Sequence, residues 1–474
     1  MIKRIAFTGL LGIITLLGCH EQQPTVKWVC STEADAWVQK EDILLNEVKE
    51  SDTIKADIEI LLDEKQQVID GFGGCFNEKG WEALSVLEEN VREEILKGLF
   101  DTVDGLKFNI CRMPIGANDF ALEYYSLNDS AGDYEMKHFS IERDKKYLIP
   151  YIKAAKKYNP GLKIWASPWC PPAWMKVNQH YACRKTENND LVIEGKQNTD
   201  LFIADDKTSK AYALYFSKFL KAYKKEGIDV YAIHVQNEPH ACQDFPSCTW
   251  TSPQLRDFIK NYLAPQLKKE NPETEIWLGT INWPDTEQID TIFEDKNCHD
   301  AITGVGLQYA GVNTIAEVYE KYPDKKIMQT ESRCWKGENT WDDAYNTFRL
   351  MKYYFNNGAN SYLYWNTILD ETGLSTWKWK QNAMVTINKQ TKAVTYNHEY
   401  YLMKHFSHFI KSGSYRLKIN DEEKDALVFN NGGQVIVIVA SPSEEDENIS
   451  IKTGEKIFQV KLPARSFNTF SLTI

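Results

Sequence analysis

The chain has 474 residues, 12% of them aromatic, and carries a formal net charge of −12. That length accommodates a barrel of about 250–330 residues plus a second domain. An acidic chain without a basic block argues against a nucleic-acid partner, and the 14 Trp and 24 Tyr suit stacking on sugar faces, although aromatics more often fill cores.

The first residues read as a targeting segment. Lys3 and Arg4 precede an apolar run over 5–17, too short and wrongly flanked for a stable membrane span. The run ends Leu16-Leu17-Gly18-Cys19, which resembles the bacterial lipobox. That resemblance implies a signal peptide over 1–18, lipid attachment on the Cys19 thiol, and a place on a bacterial membrane, periplasmic or at the cell surface. The lipid anchor would be the one membrane contact. Ten cysteines less Cys19 leave an odd number, which excludes a full disulfide framework. Cys242 and Cys248 are candidates for a single bridge, and buried free thiols are the reading for most of the others. No CxxC pair occurs, so zinc sites of that class are absent, and no metal or other cofactor is expected.

Residues 19–70 hold a linker and two strand-like runs, 26–30 and 58–62. Eight short apolar runs then alternate with helical stretches. Strands are expected at 68–74, 108–112, 163–167, 230–235, 275–280, 304–308, 326–330 and 361–365. Helical periodicity is clearest over 81–100, 209–226, 252–270 and 341–356, with Gly227 and Gly358 as C-cap signals. This alternation predicts a (β/α)8 TIM barrel over 71–410. The polar stretch 179–205 lacks periodicity and is expected as a long loop over the mouth that shapes the cleft. From 411 to 474 the chain returns to short β-branched runs, at 426–430, 434–440, 449–452, 458–462 and 466–474. Asn431-Gly432-Gly433 among them is a hairpin turn. The two ends are therefore read as one β-sandwich at the side of the barrel.

Chemistry gathers where the barrel strands end. The fourth strand runs into Gln236-Asn237-Glu238-Pro239, and Pro239, with no N–H to give, stops the ladder. The seventh runs into Glu331. The C-terminal lip of a parallel barrel strand is where this fold keeps catalytic groups. Strands four and seven face each other across one mouth, and two carboxyls about 5–5.5 Å apart perform retaining glycoside hydrolysis. Arg112, after strand two, can hold one carboxylate ionised. Asp119 offers a carboxylate to two sugar hydroxyls, and Asn237 an amide to the sugar 2-hydroxyl. Trp169, in a proline-stiffened loop, can face the cleft. The Tyr309 hydroxyl can hydrogen-bond the nucleophile, and Trp365 with Asn366 can floor the innermost sugar.

Three other features carry no site. His398, His405 and His408 lack the spacing of a zinc-protease helix and read as packing. Gly71-Phe72-Gly73-Gly74 lacks the spacing of a dinucleotide loop. No Gly-x-Ser-x-Gly elbow occurs.

Taken together, Gly71-Phe72-Gly73-Gly74, Arg112-Met113-Pro114, Ser167-Pro168-Trp169, Gln236-Asn237-Glu238-Pro239, Thr330-Glu331 and Trp365-Asn366 resemble glycoside hydrolase family 30, in the family's order. The resemblance implies the barrel with its side β-sandwich and retention of anomeric configuration. It makes Glu238 the acid/base and Glu331 the nucleophile, with Arg112, Asp119, Trp169, Asn237, Tyr309 and Trp365 as substrate-site residues. The loops look like the branch of glucosylceramidases and endo-β-1,6-glucanases. Gln236 before Asn237 departs from the animal glucosylceramidase pattern. A lipid-anchored bacterial enzyme meets glycans, so β-1,6-glucan is the expected substrate, with glucosylceramide the alternative and a non-catalytic carbohydrate-binding lipoprotein a lesser one. A monomer is expected.

Overall fold

The structure is a computed structural model and describes residues 25–48, 55–187, 189–331, 334 and 336–473. The targeting segment and Cys19 lie outside the described residues. In chain order, β1 is Thr25–Thr32 and β2 is Ile58–Val68. Eight barrel strands follow: β3 Gly71–Cys75, β4 Ile110–Pro114, β5 Lys163–Ser167, β6 Val230–His234, β7 Glu275–Ile281, β8 Ile302–Gln308, β9 Lys326–Glu331 and β10 Ser361–Asn366. The C-terminal strands are β11 Tyr415–Ile419, β12 Ala426–Asn430, β13 Gln434–Ser441, β14 Glu447–Thr453, β15 Lys456–Leu462 and β16 Ser466–Thr473.

Strands β3 to β10 form a closed parallel barrel, β10 pairing back onto β3. Each strand is buried along nearly all its length, which is why these runs read as continuously apolar instead of alternating. The interior is filled from below by Ile110, Trp165, Ala232, Trp277, Met328 and Leu363. Above them the His234 ring lies between two indoles, with centroids 3.9 Å from Trp165 and 5.1 Å from Trp277. Glycines on β8 make room for this stack. A Cβ on Gly306 would come within 2.6 Å of the His234 ring, and one on Gly304 within 2.6 Å of Trp277.

The sandwich is one hydrogen-bonded path, β1-β16-β13-β12-β11-β2-β14-β15, extended by two-residue strands. β2 is long enough to pair antiparallel with β11 and parallel with β14, so it joins the two layers. Strand alternation then assigns the two faces of β13. Val435, Val437 and Val439 enter the sandwich core, while Ile436, Ile438 and Ala440 pack into the barrel's own cluster. The same cluster holds Phe406 of the helix His398–Ser407 and Phe355 of the helix Trp341–Asn356.

Three expectations need correcting. The helical stretch over 81–100 is two helices, Glu78–Ser85 and Glu89–Phe100. Between them the Leu87 N–H turns back to the Leu84 carbonyl, and both leucines are buried. A Cys242–Cys248 bridge does not form, and all nine described cysteines are free. The Cys242 thiol faces Cys183, whereas Cys248 is buried near Lys176. Of its described residues, the loop 179–205 gives none to the wall of the cavity at the barrel mouth, and Asn198 lines a separate, smaller one. The loop braces the neighbouring loop instead: the N–H groups of Cys183 and Arg184 both donate to the Gln243 carbonyl at 2.8 Å.

Candidate active site

At the C-terminal mouth of the barrel lies a cavity of about 440 Å³, and both Glu238 and Glu331 line it. Glu331 is the last residue of β9, and Glu238 stands just beyond β6. Glu238 and Tyr309 both turn off their strands through left-handed backbone, at φ +46° and +43°. For non-glycine residues such conformations cost about 1–3 kcal/mol each. Here they redirect two functional side chains from the strand direction into the mouth.

Glu331 is held by charge and by a phenol. Arg112 Nη1 donates to its Oε2 at 2.8 Å, and the Tyr309 hydroxyl donates to its Oε1 at 2.7 Å. Arg112 is fully buried beneath the cavity, so its orientation is set by its neighbours. Its Nε and Nη2 donate to Ser167 Oγ at 3.2 and 3.0 Å, and Nη2 also to Asn237 Oδ1 at 2.6 Å. Its guanidinium carbon lies 4.2 Å from the Trp169 ring centroid, 5.0 Å from Trp165 and 5.1 Å from Trp365. Such stacking suits a flat, weakly hydrated cation.

Glu238 has only neutral donors. Asn282 Nδ2 reaches its Oε1 at 2.8 Å and Gln308 Nε2 at 3.0 Å. The same Gln308 nitrogen lies 3.3 Å from Glu331 Oε2. A single amide nitrogen is thus within reach of both carboxyls, and the two oxygens can be no further apart than those two contacts end to end. Burial, the largest cause, raises the proton affinity of both glutamates, and the Glu238 charge adds to it at Glu331. Arg112 and Tyr309 oppose this at Glu331, which is still pushed up to about 7, whereas at Glu238 the amides of Gln308 and Asn282 and the more distant Arg112 charge do the opposing.

The other expected residues divide into wall and backing. Asp119 lines the cavity with one carboxyl oxygen lacking any hydrogen-bond partner, and burial followed by the Glu331 charge raises it well above the usual carboxylate range. Trp169 forms part of the wall. Asn237 lines it too, and its Oδ1 is occupied by Arg112, Thr280 and Gln308, which leaves its amide nitrogen to the cavity. Trp365 stands behind the wall, not in it: the ring is fully buried and stacked 5.5 Å from Trp169. Asn366 is also behind, donating to Gln381 Oε1 at 2.8 Å, and Gln381 is the group that lines the cavity.

Sequence reasoning missed Gln308, Asn282, Gln381 and Trp379. Gln308 ends β8 beside Tyr309, so the strand-end rule that picked out the glutamates reaches it as well. Asn282 follows β7 directly, a strand to which no site residue was assigned. Trp379 and Gln381 sit on an excursion after β10 built on a small three-stranded sheet, Ile368–Asp370, Val385–Ile387 and Val394–Tyr396. Trp379 is 41% exposed at the cavity edge, set edge-on to Phe245.

A family model described as the glycosyl hydrolase family 30 TIM-barrel domain matches residues 69–410. Putative glucosylceramidase 1 of Caenorhabditis elegans is 31% identical over 404 residues, 79% of this chain and 74% of that protein. Endo-1,6-beta-D-glucanase BGN16.3 of Trichoderma harzianum is 26% identical over 432 residues, 86% of this chain and 84% of its own. Among solved structures, the endo-beta1,6-glucanase BT3312 superposes with a TM-score of 0.79 at 23% identity, covering 95% of this chain and 99% of that one, a likeness of fold.

Proposed function

The chain belongs to glycoside hydrolase family 30, and from that premise we propose that it hydrolyses β-glucosidic bonds with retention, β-1,6-glucan being the substrate. Glu331 attacks the anomeric carbon while Glu238 gives its proton to the departing glycosidic oxygen. The carbon–oxygen bond breaks and a glucosyl ester forms on Glu331. Glu238, now a base, takes a proton from water, whose oxygen displaces Glu331 and releases the sugar.

The observation that carries this reading is the Gln308 nitrogen, 3.0 Å from one carboxyl oxygen and 3.3 Å from the other. Oxygens bridged by one nitrogen fall short of the roughly 6.5–9.5 Å an inverting enzyme keeps open for water. The unequal surroundings support the division of roles. A carboxyl paired with Arg112 and Tyr309 stays ionised as a nucleophile, whereas one held by amides keeps a proton to donate.

Two features favour a glycan. Most of the residues lining the cavity are polar, with Asp119, Asn237, Gln243, Asn313 and Gln381 suited to hydroxyls, and Trp379 offers an aromatic face at the edge. The 31% identity to a putative glucosylceramidase keeps glucosylceramide as the second reading. Lipid anchoring through Cys19 at a bacterial membrane and a monomeric state belong to the same proposal.

The test uses an activated aryl β-glucoside. Glu331→Gln should lose at least about 10³-fold in turnover, and near-normal activity would remove it as nucleophile. Glu238→Gln should recover partly with azide and yield the β-glycosyl azide, whereas an α-azide product contradicts retention. Product analysis on a β-1,6-glucan against glucosylceramide decides between the substrates.

A further inference from the structure

A second cavity, about 200 Å³, is lined by residues of the loops that follow β6 and β7, by Asn198 and by the first residues of the helix Ser252–Phe258. Its lining includes His240, Trp283, Gln288, Asp285 and Asn198. These loops are the ones that hold the acid. His240 is two residues past Glu238, and Trp283 follows Asn282, the amide bound to Glu238. The His240 and Trp283 rings stack with centroids 4.8 Å apart at 22°. Trp283 itself is only half-buried, so part of its indole stays open.

The polar groups in this cavity are under-satisfied. His240 is 6% exposed and Gln288 1%, yet neither ring nitrogen of His240 and neither amide atom of Gln288 makes a hydrogen bond of good geometry. A weak side-chain hydrogen bond between Gln288 and His240 raises the imidazole's proton affinity, and it leaves the second ring nitrogen and the second amide atom open. Burial keeps the imidazole neutral, so one ring nitrogen donates and the other accepts. The Gln288 amide likewise offers both. Buried donors and acceptors of this kind are normally paired, and those left open call for a partner.

We infer that this cavity is an outer saccharide subsite on the leaving-group side, taking a ring of a neutral glycan chain. The inference rests on the proposed role of Glu238, since an acid that protonates the departing oxygen marks the side on which the leaving group emerges. The chemistry selects the ligand. Paired donors and acceptors match sugar hydroxyls, an open indole face matches the apolar face of a pyranose ring, and Asp285 with Glu287 at the edge disfavours an anion. The wall offers no apolar surface long enough for a lipid tail, so the subsite belongs with a glycan substrate.

The test is calorimetric binding to the full-length Glu331→Gln protein, with a β-1,6-linked glucotetraose and with 4-nitrophenyl β-glucoside. In that background Trp283→Ala should weaken tetrasaccharide binding about tenfold and leave the aryl glucoside unchanged. Gln288→Met, which keeps the side-chain length and removes both polar atoms, should act in the same direction with less risk to the fold. The subsite is overturned if both variants bind the tetrasaccharide as tightly as the parent. Equal loss for both ligands, or a parent that prefers the tetrasaccharide no more than the aryl glucoside, overturns it too. Hydrolysis of the aryl glucoside by the unmodified enzyme separates the two ideas: its absence removes the catalytic reading, whereas the length-dependent binding speaks only to the subsite.

Discussion

Arg112 and Tyr309 share the two oxygens of Glu331, one supplying charge and the other a neutral hydroxyl. Removing the hydroxyl removes a bond made to the ionised form, so the Glu331 proton affinity must rise further. In a Tyr309→Phe enzyme the acid limb of kcat/KM, which on the proposed mechanism reports Glu331 ionisation, should move to higher pH. A hydrogen bond to a charged group is worth about 1.5–3 kcal/mol, so kcat/KM should fall roughly 10- to 100-fold. A pH–rate profile settles it, and an acid limb that stays in place would mean Tyr309 supports packing alone. Glu238 and Glu331 are legible in sequence because a charged residue directly after a buried apolar strand has few other reasons to be there. The amides Gln308 and Asn282 have no such contrast, since an amide ends a strand without cost and its partners are revealed only when the ring closes. Trp365 reads as a sugar floor from its strand-end position, but its depth behind Trp169 depends on how far β10 reaches up the barrel.

Elements were legible where burial is uniform. Runs such as 163–167 and 326–330 are apolar because helices cover one side of the ring and side chains fill the other. The excursion after β10 was not, because its three-residue strands are too short to show a period. At the start of the helix His398–Ser407, Glu399 is a carboxyl without a function in the cavity. It accepts from Asn382 at 2.9 Å and only weakly from the Tyr364 hydroxyl, and burial pushes it up to about 7 from the ordinary 4.5. Between those two values the folded chain keeps a proton that the unfolded chain releases, so this group lowers stability as pH rises through that window and is level above it. Glu399→Gln abolishes the effect. Relative to the parent it should gain roughly 2–3 kcal/mol between pH 4 and pH 8, read from denaturant midpoints. Parallel pH curves for the two proteins would refute the account.

At the scale of the molecule, barrel and sandwich are joined through one strand, because alternate residues of β13 serve the core of each. The unbroken run 435–439 carries that information in sequence, since a strand with one wet face would have alternated. His405 ties the join, with Nδ1 2.8 Å from Thr469 Oγ1 and Nε2 2.9 Å from Ser31 Oγ. Burial lowers it from 6.5 to about 3, so the folded form keeps it neutral while the unfolded form takes up a proton. The stability it contributes is present above 6.5 and is lost as pH falls toward 3. Hydrogen exchange should find β13 and the barrel strands opening at the same free energy. His405→Asn should lower that free energy at pH 7 and flatten its decline on acidification. Earlier opening of β13 would show the two cores to be separable.

β1 lies between the short strand Val38–Gln39 and β16, and the indole of Trp28 reaches Asn468, 440 positions away. During synthesis β1 therefore has no long partner until β16 has been made. Every nascent chain that stops short of β16 carries an open sheet edge, and that edge is sealed only when Ser466–Thr473 has been added.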